Sequence, residues 1–223
     1  VKILALDTSS EHCSAALWLD GRVSQRLEHA GQRHSQLLLP MVTELLAEAG
    51  LAATALDGVA VAVGPGSFTG LRIATAVGQG IAFGADLPVA SVGSLDALAW
   101  GLDGAARVAC VDARMGEIYA AAYRWTGTDL DCVVDPLVAS AERLPMLPDG
   151  AWTGGGNAFE RCADGIAARW GSAIARSDAA AVAEARHVAA IAAAREPGGF
   201  RLPPEALIPV YVRDKVALRV DER

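Results

Sequence analysis

The residues with the clearest chemical potential are Gly64-Pro65-Gly66-Ser67-Phe68-Thr69-Gly70, a glycine loop between an apolar run and a helix-like segment. Backbone N–H groups at such a junction, with the positive end of the helix behind them, can cradle a phosphate. A Walker loop also needs G-x-x-x-x-G-K-[ST], and no lysine stands between Lys2 and Lys215, so P-loop ATP hydrolysis is excluded. The dinucleotide fingerprint would place its third glycine at Thr69, and the next strand ends Ser91-Val92-Gly93 without a carboxylate for a ribose. The alternative reading is a structural turn that needs positive φ. Asp7 and Asp112 each end a strand, where the catalytic carboxylate of an ATP-using enzyme could sit, although capping a turn is the commoner job of such an aspartate. A vestigial nucleotide cradle would therefore comprise Asp7, Gly64, Gly66, Ser67, Thr69, Gly70 and Asp112.

Metal and nucleophile signatures are missing. The histidines are His12, His29, His34 and His187, with no i, i+4 pair, and there is no G-x-S-x-G elbow. Cys13, Cys110, Cys132 and Cys162 are far apart and never form C-x-x-C, which reads as four reduced structural thiols in a cytoplasmic protein.

These residues must be positioned by 223 residues, 52% hydrophobic and 20% charged. That is enough for a sizeable core without staples and lacks the charge excess of a disordered chain. The longest uncharged stretch, between Asp57 and Arg72, is broken by Pro65 and glycines and is too short for a membrane span. The first residues lack the pattern of an export signal. A formal charge of −7 argues against autonomous nucleic-acid binding, and the basic residues near Arg22 and in the tail 213–223 are diluted by acidic neighbours.

Lys2 to Thr8, Cys13 to Leu19 and Arg22 to His29 read as an antiparallel meander, with Asp20-Gly21 as a tight hairpin turn. Ser35 is placed to cap a helix that ends at Gly50, with Pro40 bending its first turn or marking its start. Val59 to Val63 is a strand, Leu71 to Gly84 a helix, Leu87 to Val92 a strand and Ser94 to Trp100 a short helix with Asp96 in its first turn. A shift of 105 residues lays Leu4–Asp7 on Ala109–Asp112 and Cys13–Trp18 on Ile118–Tyr123, the mark of a duplicated fold if it is more than coincidence. Beyond Arg124 the pattern weakens: Trp152 to Asn157 reads as a glycine-rich turn, Ala158 to Trp170 and Asp178 to Arg195 as helices, and Pro197-Gly198-Gly199 as a break.

Gly78 and Gly80 lie inside the second helix, where each costs about 1 kcal/mol relative to alanine. Ala74, Gly78 and Ala82 repeat every four residues and form a small-residue strip for another helix, either within the domain or in a partner. The expected intermolecular seam joins Ala74, Val77, Gly78, Ile81 and Ala82 to Leu38, Met41, Val42 and Leu45. The first helix carries a second apolar stripe through Leu39, Val42, Leu46 and Ala49, more than one core-facing surface needs.

The segments ILALDTSSEHCSAALW, HSQLLLPMV, GPGSFTGLRIATAVGQGIAFG, VDARMGEIY and PVYVRDKVA, between Ile3 and Ala217, resemble the bacterial TsaB (YeaZ) family of tRNA threonylcarbamoyladenosine biosynthesis proteins. GPGSFTGLRI and DARMGEIY are its specific parts, and the region from about Trp125 to Leu207 contributes no motif. The resemblance implies an α/β, actin-like fold of two duplicated RNase H-like lobes, divided here at 1–102 and 103–223. It also implies a cytoplasmic scaffold without cofactor, homodimeric alone, which pairs with the catalytic paralogue TsaD through the helices Ser35–Ala49 and Leu71–Phe83. The small ATPase TsaE completes the complex, and tRNA is reached only through it. In the paralogue an H-x-x-x-H pair binds metal; the aligned residues here are Ser94-Leu95-Asp96-Ala97-Leu98, and neither Ser94 nor Leu98 can replace an imidazole. The rival expectation is an actin-fold ATP-dependent kinase or transferase using Asp7, Asp112 and the glycine loop. A metalloprotease-like glycopeptidase fails for want of metal ligands.

Overall fold

The computed structural model describes residues 1–195 and 202–212, so Pro197-Gly198-Gly199 and the tail from Arg213 lie outside the described residues. The chain opens with β1 (Lys2–Asp7), β2 (His12–Leu19) and β3 (Arg22–His29), then α1 (His34–Glu48), β4 (Gly58–Gly64), α2 (Phe68–Ala85), β5 (Val89–Gly93) and α3 (Ser94–Trp100). The first sheet has the order β3-β2-β1-β4-β5. β1, β2 and β3 pair antiparallel, whereas β4 and β5 join parallel to β1. The β2–β3 hairpin turns on Asp20 and Gly21, both at positive φ, as Asp-Gly favours.

The second half repeats the plan with β6 (Ala106–Asp112), β7 (Glu117–Trp125), β8 (Leu130–Ser140), β9 (Trp152–Gly155), α4 (Ala158–Arg161), α5 (Ala163–Trp170), β10 (Ile174–Asp178) and α6 (Ala185–Ala194). Read from β8, its sheet runs β8-β7-β6-β9-β10, the same meander and the same two parallel additions. The 105-residue repeat is thus architectural. Its second strand is one residue out, because Asp7 pairs with Ser14 while Asp112 pairs with Ile118.

The layers follow from side-chain alternation along the strands. Leu4, Leu6, Leu17, Val59 and Val61 face outward under α1 and α2. Ile3, Ala5, Ala16, Ala60 and Ala62 face inward and share one core with α3, α6 and Ala109, Ala121 and Tyr123 of the second sheet. Val108, Cys110, Ile118 and Ala120 face the far side with Trp152, Ile166 and Trp170. The result is an α/β, two-lobed actin-like fold in which α6, from the second half, packs on the first sheet.

Several boundaries differ from the sequence reading. α1 starts at His34 with Arg33 at its cap and no side-chain cap, so Ser35 lies inside the first turn and Pro40 inside the helix. The helix expected over Ala158 to Trp170 is two helices, divided at Cys162 with φ −125°. The segment expected to be helical from Asp178 begins only at Ala185, because Asp178 closes β10 and α6 starts after Glu184. Arg186 and His187 therefore lie in the first turn of α6. The glycine-rich Trp152–Gly155 is an inner strand rather than a turn. A Cβ on Gly154 would strike the Phe159 ring and one on Gly155 would strike Leu102, so those glycines admit bulky neighbours against a central strand.

Candidate functional site

Two turns meet at the floor of the cleft between the sheets. Asp7, at the end of β1, is fully buried; its Oδ1 accepts from the Ser9 N–H at 2.9 Å and from Ser9 Oγ at 3.0 Å. Burial pushes its carboxyl up to about 6, against the opposing pull of Ser9 and His34. The glycine loop closes on the same turn. Thr8 Oγ1 donates to Gly70 O at 2.6 Å, Ser67 N to Ser9 O at 2.7 Å, and Gly70 N to Ser67 Oγ at 3.2 Å. A Cβ on Gly66 would meet Ser9 O and one on Gly70 would meet Thr8 O. Gly64, at φ +122°, donates its N–H to Ser94 Oγ at 3.1 Å.

The glycines therefore serve a backbone lock between β1 and α2, and the Gly64, Ser67 and Gly70 N–H groups are committed inside the chain. Thr69 sits exposed in the first turn of α2. Of the residues assigned to a vestigial cradle, the structure ties Gly66, Ser67 and Gly70 to the Thr8-Ser9 turn that Asp7 caps, whereas Gly64 is bonded to Ser94, Thr69 is exposed and Asp112 lies on the other wall.

On that wall Asp112 Oδ1 accepts from Arg114 N at 2.9 Å, and its Oδ2 lies 3.0 Å from Arg161 Nη1. Both aspartates thus cap turns. Glu11 reaches across to Arg114 at 3.7 Å and Arg161 at 3.8 Å, and contacts His29 at 3.5 Å. Cavities of about 640 and 340 Å³ flank this contact. Sequence reading missed Glu11, Arg114 and Arg161, whose only signal was charge in the two turns that face each other once the fold is duplicated.

Ser94 and Leu98 are buried: Ser94 holds Gly64, and Leu98 packs on Gly155 and Gly156. Among the described residues no group of three or more His, Cys, Asp or Glu side chains could hold a metal ion. His34 Nε2 lies 2.9 Å from Ser10 O, and His12 and His29 stack edge to face. All four cysteines are free, and burial pushes the Cys13 thiol up to about 12. No described helix is long and apolar enough to cross a membrane.

The expected seam is corrected at most of its positions. Leu38, Met41, Val42 and Leu45 are buried in the core over the first sheet, as are Ala74, Gly78 and Ala82. A Cβ on Gly78 would come within 2.6 Å of Val61 Cγ2 and 3.0 Å of Leu207 Cδ2, so that strip is packing within the domain. Val77 and Ile81 are half-buried. The surface that does face outward carries Ala76, Gly80, Phe83 and Gly84 of α2 with Leu39 of α1; Phe83 is 60% and Leu39 50% exposed. Among the described residues nothing lies within 4 Å of a Cβ built on Gly80. Small residues occur on both faces of α2, so their spacing alone did not separate the buried face from the outer one.

Paired sheets of identical order, each with a turn-capping aspartate at the end of its first strand and facing across a shared cleft, define a duplicated actin-like protein. The family profile described as TsaD, tRNA N6-adenosine threonylcarbamoyltransferase, matches residues 28–169. The tRNA threonylcarbamoyladenosine biosynthesis protein TsaB of Escherichia coli strain K12 is 36% identical over 97% of this chain and 96% of its own length. The solved structure of YeaZ from Pseudomonas aeruginosa superposes with a TM-score of 0.85 at 35% identity, covering 94% of this chain and 99% of that one. The tRNA N6-adenosine threonylcarbamoyltransferase of Nitratidesulfovibrio vulgaris is 35% identical over 45% of this chain and 33% of its own length. The chain belongs to the TsaB (YeaZ) family.

Proposed function

We propose that this chain acts in tRNA threonylcarbamoyladenosine biosynthesis as the non-catalytic partner of a TsaD threonylcarbamoyltransferase. The complex places N6-threonylcarbamoyladenosine beside the anticodon of tRNAs that read codons beginning with A. In this reading the protein is cytoplasmic, needs no cofactor, and has lobes at 1–102 and 103–223. It forms homodimers alone, works with TsaE in the complex, and meets tRNA only there.

The observation that carries the reading is Gly80. A glycine in the middle of an 18-residue helix costs about 1 kcal/mol relative to alanine, and among the described residues no neighbour needs it small. Close approach of a helix from outside accounts for it, as it accounts for the exposed Phe83 of α2 and Leu39 of α1. The kinship of this chain to a transferase of the TsaD type supports a partner built on related helices. The rival, an ATP-dependent kinase or transferase, would use Asp7, Asp112 and the glycine loop; it is disfavoured by the enclosure of Asp7 and by loop N–H groups already bonded to the turn after β1 and to α3.

The test is reconstitution of the tRNA modification by the TsaD and TsaE complex with and without this chain, alongside ATP turnover by the isolated chain. The expected result is modification that depends on the chain and no turnover above background. Robust turnover by the chain alone would establish the rival.

A further inference from the structure

The segment Leu202 to Val212 has one short helical turn, Pro204–Ala206, yet it is tied to the first lobe along its length. It starts at the edge of the first sheet, where Val89 N donates to Leu202 O at 2.9 Å. It then follows α2 from its C-terminal end toward its N-terminal end. Gln79 Nε2 donates to Leu207 O at 2.8 Å, Val210 N to Val63 O at 2.7 Å, and Arg72 Nε to the Tyr211 hydroxyl at 3.0 Å. The Tyr211 and Phe68 rings lie 5.5 Å apart, and the Arg72 guanidinium lies 3.8 Å from the centre of the Phe68 ring.

Leu207 is the one apolar side chain of this strap that is fully buried, whereas Ile208 is 62% exposed. It enters the gap that Gly78 leaves between α2 and Val61 of β4, a gap that an alanine at 78 would fill. Gly78 and Leu207 thus form a hole and a knob on the buried flank of α2, while Gly80, two residues on, faces outward. The strap also fixes the carbonyl of Val63, directly before the glycine loop that starts α2. The strap meets α2 at its first turns through Tyr211, which accepts from Arg72 and lies against Phe68, and at its middle through Leu207 and Gln79, so it bears on the tilt of the helix over the sheet.

We propose that the strap is a positioning device for the partner surface: α2 presents Ala76, Gly80 and Phe83 in binding geometry only while Leu207 is lodged above Gly78. Removing the knob leaves a void under a helix that already contains several glycines, so the helix repacks and its outer face shifts. The proposal rests on the reading of that face as the surface for the transferase. It adds a control point remote from the surface itself, since anything that lifts residues 202–212 lowers partner affinity without touching Gly80.

Hydrogen exchange of the full chain and its affinity for TsaD, measured together, test it. Leu207→Ala is expected to speed exchange of the α2 amides at least tenfold and to weaken TsaD binding at least tenfold, with β6 and β7 unchanged. Gly78→Ala, which displaces Leu207 from the other side, is expected to give the same pattern. Gln79→Ala, which removes one bond to the strap without opening a cavity, is expected to give the pattern at a few-fold and keeps the test open if the core variants fold poorly. Wild-type α2 exchange in Leu207→Ala, or faster exchange with unchanged affinity, overturns the proposal. Ala76→Arg separates the two readings, because it is expected to abolish binding while α2 exchange stays at the wild-type level. If Ala76→Arg binds normally, the surface reading falls, and the exchange of Leu207→Ala still decides whether the strap seats the helix.

Discussion

The two lobes share a sheet but not a cover. Each has the order meander, then two parallel strands, and each passes from its fourth strand through a glycine loop into a helix: β4 to α2 in the first, β9 to α4 in the second. In the first lobe that helix has 18 residues with Arg72 as its only charge, and α1 adds 15 more beside it. In the second lobe it has 4 residues, followed by the 8 of α5, and the exposed positions include Glu160, Arg161 and Asp164. A short helix with charged exposed positions is an ordinary solvent-facing cover. A long, almost uncharged one with exposed Phe83 and a mid-helix Gly80 is what the proposed partner surface requires. Duplication preserved the sheets, which fold the chain, and left the covers free to diverge toward function.

The glycine loops are the first place to challenge this comparison, since both should be structural. Gly70→Ala drives a Cβ into Thr8 O, and Gly156→Ala drives one into Cys110 O at a residue with φ +111°. Each is expected to destabilise the fold by about 3 kcal/mol or more, because the obstruction is backbone and cannot swing aside; urea denaturation checks it. A mild Gly70→Ala would show the loop of the first lobe to be open enough for a ligand.

The capping aspartates differ by environment, which makes a pH experiment informative. Asp7 is enclosed with Ser9, near His34 and Glu184, and its carboxyl titrates near 6 in the folded state against 3.8 in the unfolded chain. The folded state then holds its proton more tightly, so stability from this group is complete below about pH 4 and is lost as pH rises through 6. Asp7→Asn is therefore expected to gain on the wild type by about 2–3 kcal/mol between pH 4 and pH 7, as read from paired denaturation curves. Asp112, paired with the partly exposed Arg161, is a control in which an ion pair worth less than about 1 kcal/mol is lost.

Much of the first lobe was legible because its signals are local and chemically specific. Asp20-Gly21 names its turn, Val59 to Val63 is β-branched and bounded by glycine, and Asp96 marks the first turn of α3. The second lobe hid its inner strand because Gly154 and Gly155 have little strand character of their own; Phe159 and Leu102 require their smallness, and those contacts are long-range or arise in three dimensions. The alanines after Asp178 carry high helix propensity but no orientation, and the start of α6 is held across the chain, where Ala185 N donates to Ser14 Oγ and Arg186 N to Gln25 Oε1. At the cleft, Asp7 and the glycine loop were visible in the sequence, whereas their mutual lock was not, since it depends on carbonyls rather than side chains.

The small residues of α2 offer a finer test. Gly80→Ala should raise the stability of the isolated chain by up to about 1 kcal/mol, since the added methyl meets open space, while it weakens association with TsaD. Stabilisation with unchanged association would leave Gly80 without a partner-facing role.

The most direct test sets one outer alanine against the other. Ala76 on α2 and Ala168 on α5 are both exposed, so arginine at either leaves the fold intact, within about 0.5 kcal/mol. Calorimetric titration with TsaD should find binding at least 100-fold weaker for Ala76→Arg and unchanged for Ala168→Arg. Equal affinities for the two variants, or loss confined to Ala168→Arg, would contradict the assignment of the partner surface to the cover of the first lobe.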